Sequence, residues 1–226
     1  MIIGNGLLAQ AFLPAFKDDV DITVFASGVS NSRETNEAAF ARERELLIGT
    51  LQKNTFILYF STCSVHDPEL SESRYVRHKL EMEALVRGAS RMAIFRLPQV
   101  VGHTTNPHTL TNYLHQHIKS RSSFHIWLHA RRNLIDVSDV ATIVTHLVKH
   151  NQANGVIANI ACPFSITIPD LVRIFENHLD IRAVCDTVDA GAGYDIDVAL
   201  AVATAAKTGI VFDRNYLKNL IEKYYE

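Results

Sequence analysis

The segment from Thr55 to Val86 constrains the fold most strongly, because its character changes twice over a short distance. Residues 55–60 are β-branched, aromatic and uncharged, which is typical of a buried strand. Polar residues follow immediately, the chain breaks at Asp67-Pro68, and a helical pattern resumes at about Ser73. The segment therefore predicts a buried strand, a polar strand end and a helix in direct succession.

A pair of chemically useful side chains stands on this predicted helix. Tyr75 and Lys79 are four residues apart, so they project from one helix face. An ammonium near a phenol favours the phenolate, and we therefore expect a lowered pKa for Tyr75. Tyr-x-x-x-Lys alone is common on helices, but here a hydroxyl-rich strand end, including Thr62, precedes it by thirteen residues. Together these residues indicate proton transfer to a carbonyl oxygen.

These motifs resemble the active-site segment of the extended short-chain dehydrogenase/reductase superfamily, in its NAD-dependent epimerase/dehydratase branch. S-T-C-S-V-H followed by Y-V-R-H-K is similar to the branch's S-[ST]-x-x-V-[YF] and Y-x-x-x-K. With Val65 on the family's valine, the resemblance implies that Thr62 is the catalytic hydroxyl and Tyr75 the acid or base. It implies that Lys79 is the partner of Tyr75 and holds the nicotinamide ribose.

Composition excludes several other classes of protein. The chain has 226 residues, 47% of them hydrophobic and 20% charged, which predicts an ordinary globular protein. With 22 basic and 24 acidic residues, the chain has no net positive charge that would attract nucleic acid or a membrane surface. Three unpaired cysteines and a strand that begins at Ile2 predict a cytoplasmic protein without a targeting segment. The eleven histidines match no metal-ligand spacing, so we predict no metal site.

A glycine turn follows the first predicted strand. Two glycines allow the backbone to approach a pyrophosphate at a helix N-terminus, and the small Ala9 allows that helix to pack closely on the strand. We therefore expect NAD or NADP to contact this turn and the first helical residues: Gly4, Asn5, Gly6, Leu7 and Leu8. The family more often has three glycines here, so we expect fewer phosphate contacts. A plain strand–helix turn is the alternative.

The apolar run Ile22–Ala26 allows two interpretations. Its distance from the glycine turn suits the family's second strand, but the acidic residue that normally binds the adenosine ribose is missing. Its ending resembles the family's fourth strand, whose A-x-G end borders the cofactor, here Ala26, Ser27 and Gly28. We favour the fourth strand, because a long helix (34–52) and the catalytic strand come next. Strands two and three would then be missing, whereas the rival interpretation places Ser30, Ser32 and Arg33 at a 2′-phosphate.

Two later motifs also resemble the family. R-L-P-Q-V-V-G is similar to R-x-x-N-x-x-G, which implies that Leu97 and Pro98 border the cofactor and that Gln99 binds substrate. R-N-L-I-D-V-S-D-V is similar to R-x-x-[IV]-x-V-x-D-[VL], which places Arg132 on the diphosphate of a nucleotide-sugar. A proline turn and a surface arginine are the respective alternatives. The expected substrate-binding residues are Ser64, Gln99, Asn112 and Arg132.

The remaining pattern completes the predicted organisation. Residues 1–150 are expected to form the cofactor-binding and catalytic core, and residues 151–226 mainly a small substrate lobe interleaved with it. Asp139 is expected to cap or anchor a helix from Val140 to His150. Beyond Asp180 the pattern loosens, until a closing helix at 215–225. The predicted fold is α/β: a truncated Rossmann-like parallel sheet with helices on both faces.

The resemblance implies an oxidoreductase that uses NAD or NADP on a nucleotide-activated sugar. Family dehydratases have Asp-Glu directly after the catalytic threonine, whereas Cys63 and Ser64 stand here, so we expect no dehydration. A shortened adenosine pocket favours a dissociable cofactor and hence a reductase. An epimerase and a non-enzymatic cofactor-binding protein are the alternatives. The sequence leaves the oligomeric state open, with a homodimer as one alternative.

Overall fold

Strands and helices alternate through the first half of the chain in the computed structural model, which describes residues 1–226. The strands are β1 (Ile2–Ile3), β2 (Ile22–Phe25), β3 (Phe56–Thr62), β4 (Met92–Leu97), β5 (Gln99–Val101), β6 (Phe124–Trp127), β7 (Arg131–Arg132), β8 (Leu134–Asp136), β9 (Ile157–Asn159), β10 (Ile166–Thr167) and β11 (Cys185–Val188). The α-helices are α1 (Leu7–Phe16), α2 (Glu37–Leu51), α3 (Arg74–Arg87), α4 (Leu110–Ser120), α5 (Val137–Lys149), α6 (Ile168–Leu179), α7 (Ala199–Thr208) and α8 (Tyr216–Tyr224).

Five parallel strands form the central sheet in the order β1-β2-β3-β4-β9. In a doubly wound sheet of order 3-2-1-4-5-6, the fourth strand lies between the first and fifth, and the second lies on the far side of the first. β2 lies between β1 and β3, the strand with the predicted catalytic end, so it holds the fourth-strand position. The second-strand interpretation is wrong, and the family's second and third strands are missing between α1 and β2.

Helices cover both faces of the sheet, as predicted. α1, α5 and α7 lie on one face, and α2 and α3 on the other. Neighbouring strand residues point to opposite faces. Leu58 therefore belongs to the same apolar cluster as Phe12 of α1, whereas Tyr59 belongs to the cluster of Leu47 and Met82 from α2 and α3. The fold is an α/β Rossmann-like sheet.

The connection through α1 differs in hand from its neighbours. β1–α1–β2 and β2–α2–β3 step in the same direction along the sheet, but α1 and α2 lie on opposite faces. The two crossovers therefore have opposite hands, and β3–α3–β4 shares the hand of β2–α2–β3. The connection from β4 to β9 continues in the same direction with α5 on the face of α1, so it shares the hand of β1–α1–β2.

A second apolar cluster lies away from the sheet, among α4, α6, α8 and β6. Its members come from both sides of residue 150, for example Ile118 and Phe124 before it and Phe175 and Leu220 after it. Three further strand pairs border this region: β5 with β8 and β6 with β11 are parallel, and β7 with β10 is antiparallel. A division of the chain at residue 150 stays a prediction.

The structure corrects several boundaries in the second half. The helix expected from Val140 begins at Val137, because the carboxylate of Asp136 accepts a hydrogen bond from the Ser138 N–H and caps it. Asp139 is instead an anchor, whose carboxylate accepts a 2.6 Å hydrogen bond from the Tyr216 hydroxyl. Strand β11 and helix α7 had no predicted counterpart. None of the helices has the length and apolar character needed to cross a membrane.

Candidate active site

The catalytic hydroxyl and phenol predicted from the sequence lie together at the carboxyl end of β3. Thr62 ends the strand, and its Oγ1 accepts a 3.1 Å hydrogen bond from the Ser64 N–H, which turns the chain away from the sheet. Ser73 caps α3 by accepting a hydrogen bond from the Val76 N–H, so Tyr75 lies in the first turn. Both Thr62 and Tyr75 are buried.

The pKa of Tyr75 is shifted in the direction opposite to the one we expected. Burial raises the pKa of Tyr75 to about 12, although the nearby Thr62 hydroxyl lowers it in part. We expected the Lys79 ammonium to lower this pKa, and that expectation is wrong for this state of the protein. The physical reasons are burial and the charge of the Glu43 carboxylate, which raises the Tyr75 pKa and also pairs with the Lys79 ammonium. Tyr75 is therefore a protonated phenol at neutral pH.

Lys79 belongs to a buried polar cluster that the sequence interpretation missed. Its Nζ donates to Oε1 of Glu43 at 3.0 Å and to the hydroxyl of Tyr59 at 3.4 Å. Glu43 lies on α2, three residues after the buried Phe40 and four before the buried Leu47, and it is fully buried itself. A carboxylate on the apolar side of a predicted helix was the available signal, because such a charge needs a buried partner.

The glycine turn packs against the end of β2. Gly4 has a φ of +119°, and a Cβ at this position would lie 2.4 Å from the carbonyl oxygen of Ala26. Only glycine permits this contact, and it brings the turn beside Ala26 and Ser27. Ala9 is 1% exposed, in agreement with the expected close packing of α1 on the sheet.

The first turn of α1 has the properties of an anion site. Asn5 and Gly6 are exposed, Leu7 and Leu8 are half-buried, and no side chain caps the helix N-terminus. A Cβ at Gly6 would meet no atom within 4 Å, so the space in front of the helix is open. Free N–H groups and the helix dipole at such an end favour a phosphate.

The end of β2 meets the lysine cluster through Gly28. A Cβ at Gly28 would lie 2.6 Å from Nζ of Lys79 and 2.8 Å from Oε1 of Glu43. Ser27, the preceding residue, is held by Arg42, whose guanidinium donates to its hydroxyl and its carbonyl oxygen. The structure thus brings the predicted cofactor-binding ends of β1 and β2 to the same sheet edge as Thr62 and Tyr75.

The segment after β4 also reaches this edge. Leu97 is the register partner of Thr62 on the neighbouring strand. Pro98 and Gln99 follow and are half-buried, and the backbone N–H of Gln99 donates to the carbonyl oxygen of Asn133 at 3.0 Å. This contact joins the cofactor-side segment to the segment that carries Arg132.

Tyr194 is a site residue that gave no signal in the sequence. It lies in a loop between β11 and α7, and burial raises the pKa of its phenol, whereas Ser64 and the charge of Arg132 are near enough to lower that pKa in part. The loop is fixed at both ends. The N–H of Arg131 donates to the carbonyl oxygen of Ala192, and Nδ2 of Asn159 donates to that of Asp197.

The side-chain amide of one predicted substrate residue, Asn112, is occupied by partners within the fold. Both amide hydrogens of Asn112 are used, because Nδ2 donates to the carbonyl oxygens of Thr104 and Asn106, and its Oδ1 accepts from the Tyr225 hydroxyl. The structure therefore does not place Asn112 in the cluster around Thr62. Cys63 also packs in the fold, and burial raises the pKa of its thiol to about 12.

Comparison with known proteins agrees with this geometry. The family described as "NAD dependent epimerase/dehydratase family" matches residues 10–161. No curated protein sequence matches the chain. Among solved structures, the chain is similar to RMD from Pseudomonas aeruginosa complexed with NADPH, with a TM-score of 0.68 and 16% identity over 99% of this chain and 89% of that one.

Two epimerases from Bacillus cereus are also similar. UDP-glucuronic acid 4-epimerase, solved with UDP-glucuronic acid and NAD, has a TM-score of 0.73 and 15% identity over 98% of this chain and 77% of that one. UDP-N-acetylglucosamine 4-epimerase has a TM-score of 0.69 and 15% identity over 96% and 94%. Identities this low support a shared fold and leave the reaction open.

Proposed function

Because this chain belongs to the NAD-dependent epimerase/dehydratase family, we propose that it is an NAD(P)-dependent oxidoreductase that reduces a nucleotide-activated sugar. The observation that carries the proposal is the buried pair of Thr62 and Tyr75 at the carboxyl end of β3, with Lys79 one helical turn further on. Ligands of open parallel sheets bind at this end of the strands. A protonated phenol and a hydroxyl at the site suit transfer of a proton to a carbonyl oxygen.

The residues present fit a nicotinamide cofactor. The exposed glycine turn and the uncapped start of α1 would hold the pyrophosphate, and Gly28, which has no side chain, lets the end of β2 pack directly on Lys79. Lys79 has one N–H that no protein group accepts, since Glu43 and Tyr59 take the other two. That N–H is available for a ribose hydroxyl. When bound, a reduced cofactor supplies hydride to the sugar carbon.

The protein's own residues would then handle the proton and the substrate. Tyr75, protonated at neutral pH because of its raised pKa, would donate its proton to the sugar oxygen, and Thr62 would donate a hydrogen bond to the same atom. Arg132 would bind the diphosphate, with Ser64 and Gln99 near the sugar. A phenol that starts protonated supports the reducing direction, because oxidation would require the phenolate first.

The shortened sheet supports a reductase over an epimerase. With β1 at the sheet edge, no second strand is present to hold the adenosine ribose. A cofactor held mainly by its pyrophosphate and nicotinamide halves can leave after each turnover, as a reductase requires. An epimerase regenerates its cofactor in place, and is therefore the less favoured candidate. A non-enzymatic cofactor-binding protein would have no use for the buried Thr62 and Tyr75 pair.

The decisive test measures NADH and NADPH binding by fluorescence and then their oxidation with a panel of nucleotide-activated ketosugars. We expect stoichiometric cofactor consumption, and Tyr75→Phe should retain cofactor affinity while turnover falls by roughly 10²–10⁴-fold. Tyr113→Phe, a change at an exposed tyrosine of α4, serves as the control and should match wild type. Sugar conversion without net cofactor consumption would identify an epimerase, and binding without any conversion would identify a non-enzymatic protein.

A further inference from the structure

The carboxylate of Glu43 is saturated by four donors from three different parts of the chain. Its Oε2 accepts from the Val29 N–H at 2.6 Å and from Nε2 of His78 at 3.0 Å. Its Oε1 accepts from the Tyr59 hydroxyl at 2.8 Å and from Nζ of Lys79 at 3.0 Å. Because a carboxylate only accepts hydrogen bonds, His78 must carry a proton on Nε2. The carboxylate is thus fixed in position.

Burial makes this cluster different from an ordinary salt bridge. The side chains of Glu43 and His78 are 0% and 1% exposed, and that of Lys79 is 4% exposed. Although burial alone would raise the pKa of Glu43, hydrogen bonding by His78 and the charge of Lys79 lower it to about 2. Burial also lowers the pKa of Lys79, and the Glu43 charge opposes that effect. A lone buried ammonium would tend to lose its proton.

We propose that Glu43 is a positioning residue for the catalytic site: it fixes the charged Lys79 ammonium directly beneath Gly28, with one N–H left for the cofactor. The role of Lys79 in catalysis rests on the proposed function, but the effect of Glu43 on the Lys79 ammonium can be measured without it. Because Gly28 has no side chain, the ammonium packs directly against its backbone at the predicted cofactor edge. Glu43 therefore fixes the position of the Lys79 ammonium and also keeps it protonated.

Other charged and titratable groups also surround Lys79, and the experiment must separate them from Glu43. These are Arg42 on α2, Tyr59 on β3, and Tyr75, His78 and Glu83 on α3. Glu83 offers a matched control. It is fully buried on the same helix as Lys79, and it pairs with Arg96 at 2.9 and 2.7 Å instead of with the lysine.

The test compares Glu43→Gln, Glu43→Asp and Glu83→Gln in the full chain. Nuclear magnetic resonance of ¹⁵N-labelled lysine would follow the Lys79 side-chain nitrogen as the pH rises, without cofactor. Removing an opposite charge at contact distance shifts a pKa by about 1–3 units. We expect the Lys79 titration to move down by at least about one unit in Glu43→Gln, less in Glu43→Asp, and little in Glu83→Gln.

Cofactor binding provides the second measurement. In Glu43→Gln the dissociation constant for NADH or NADPH should rise about tenfold or more as the pH passes the lowered Lys79 pKa, whereas wild type and Glu83→Gln should stay flat there. An unshifted Lys79 titration in Glu43→Gln, or an equal shift in Glu83→Gln, would overturn the proposal. So would unfolding of both Glu43 variants, since the role would then be structural. A wild type that binds no cofactor would refute the proposed function, while the lysine titration would still decide the role of Glu43.

Discussion

Substitution by alanine should have different effects at the two glycines of the N-terminal turn. At Gly4 it should lower the stability of the fold, and at Gly6 it should weaken cofactor binding. Gly4 has a φ of +119°, and its added Cβ would lie 2.4 Å from the carbonyl oxygen of Ala26 and 2.8 Å from the carbonyl carbon. Both are backbone atoms, which cannot rotate away as a side chain can. Gly6 has a φ of −79°, and its added Cβ would meet nothing within 4 Å. Gly4→Ala tests the fold, and Gly6→Ala tests the cofactor site.

The structure permits an estimate of each cost. At Gly4, a backbone conformation that only glycine adopts readily costs about 1–3 kcal/mol. Forced overlap with a neighbouring strand adds about 1–3 kcal/mol. The sum is roughly 2–6 kcal/mol, which corresponds to a fall in Tm of roughly 5–20 °C for a chain of this size. At Gly6, a small capping loss and a gain of about 0.4–1 kcal/mol from the less flexible unfolded chain nearly cancel.

Thermal and urea unfolding of both variants would measure these costs, and fluorescence titration would measure cofactor affinity. Gly6→Ala should unfold within about 1 kcal/mol of wild type. It should nevertheless bind NADH and NADPH at least about tenfold more weakly, because a methyl group stands where a pyrophosphate would approach the start of α1. Wild-type stability in Gly4→Ala would refute the packing of the turn on β2. Wild-type affinity in Gly6→Ala would move the pyrophosphate elsewhere.

Further predictions follow from the site. Lys79→Ala should weaken cofactor binding and turnover, and also cost about 3–5 kcal/mol in urea unfolding, because it leaves Glu43 buried without its counter-charge; unchanged stability would mean that the ion pair is absent in solution. Arg132→Ala should raise the KM for a nucleotide-sugar roughly ten- to a hundredfold and leave cofactor affinity unchanged in titrations; an equal loss of cofactor affinity would contradict the diphosphate assignment. Because β2 holds the fourth-strand position, NADH and NADPH should bind weakly and with similar affinity, and Arg33→Ala should not change the ratio of the two affinities. NADPH selectivity that depends on Arg33 would contradict the shortened adenosine site. The pKa of Glu43 is lower in the folded than in the unfolded protein, so its ionised form stabilises the fold above the unfolded pKa. We expect the free energy of unfolding to fall by about 3 kcal/mol as the pH falls from 5 to 2. Glu43→Gln should flatten this part of the pH dependence, measured by urea unfolding.

The sheet could be predicted because its signals are local. β3 is buried along its whole length, and the sequence from Phe56 to Thr62 carries no charge. The same holds for the catalytic segment, since the strand end at Thr62 and the helix face of Tyr75 are only thirteen residues apart. Helix α7 was missed because its alanine-rich stretch carries little amphipathic pattern, with only Ala201, Thr204 and Ala205 buried.

The lysine cluster could not be predicted because its partners are distant in the chain. Glu43 and Lys79 lie 36 residues apart, and nothing in either helix alone states that they face each other. Their contact depends on α2 and α3 covering the same face of the sheet. The position of Tyr194 was even harder to predict. Its loop has no regular sequence pattern, and its approach to Ser64 depends on the tertiary path of the chain.

The connection through α1, which is opposite in hand to the one through α2, is related to the shortening of the sheet. In a complete doubly wound sheet, the first helix leads away from the catalytic strand to strand two, and on its face that path is right-handed. If strands two and three are deleted while the helix keeps its face, the same helix must lead to strand four in the other direction, and the hand reverses. The hand of β1–α1–β2 is thus the one that loss of these two strands would leave, and the packing of α1 against α5 keeps the helix on its face.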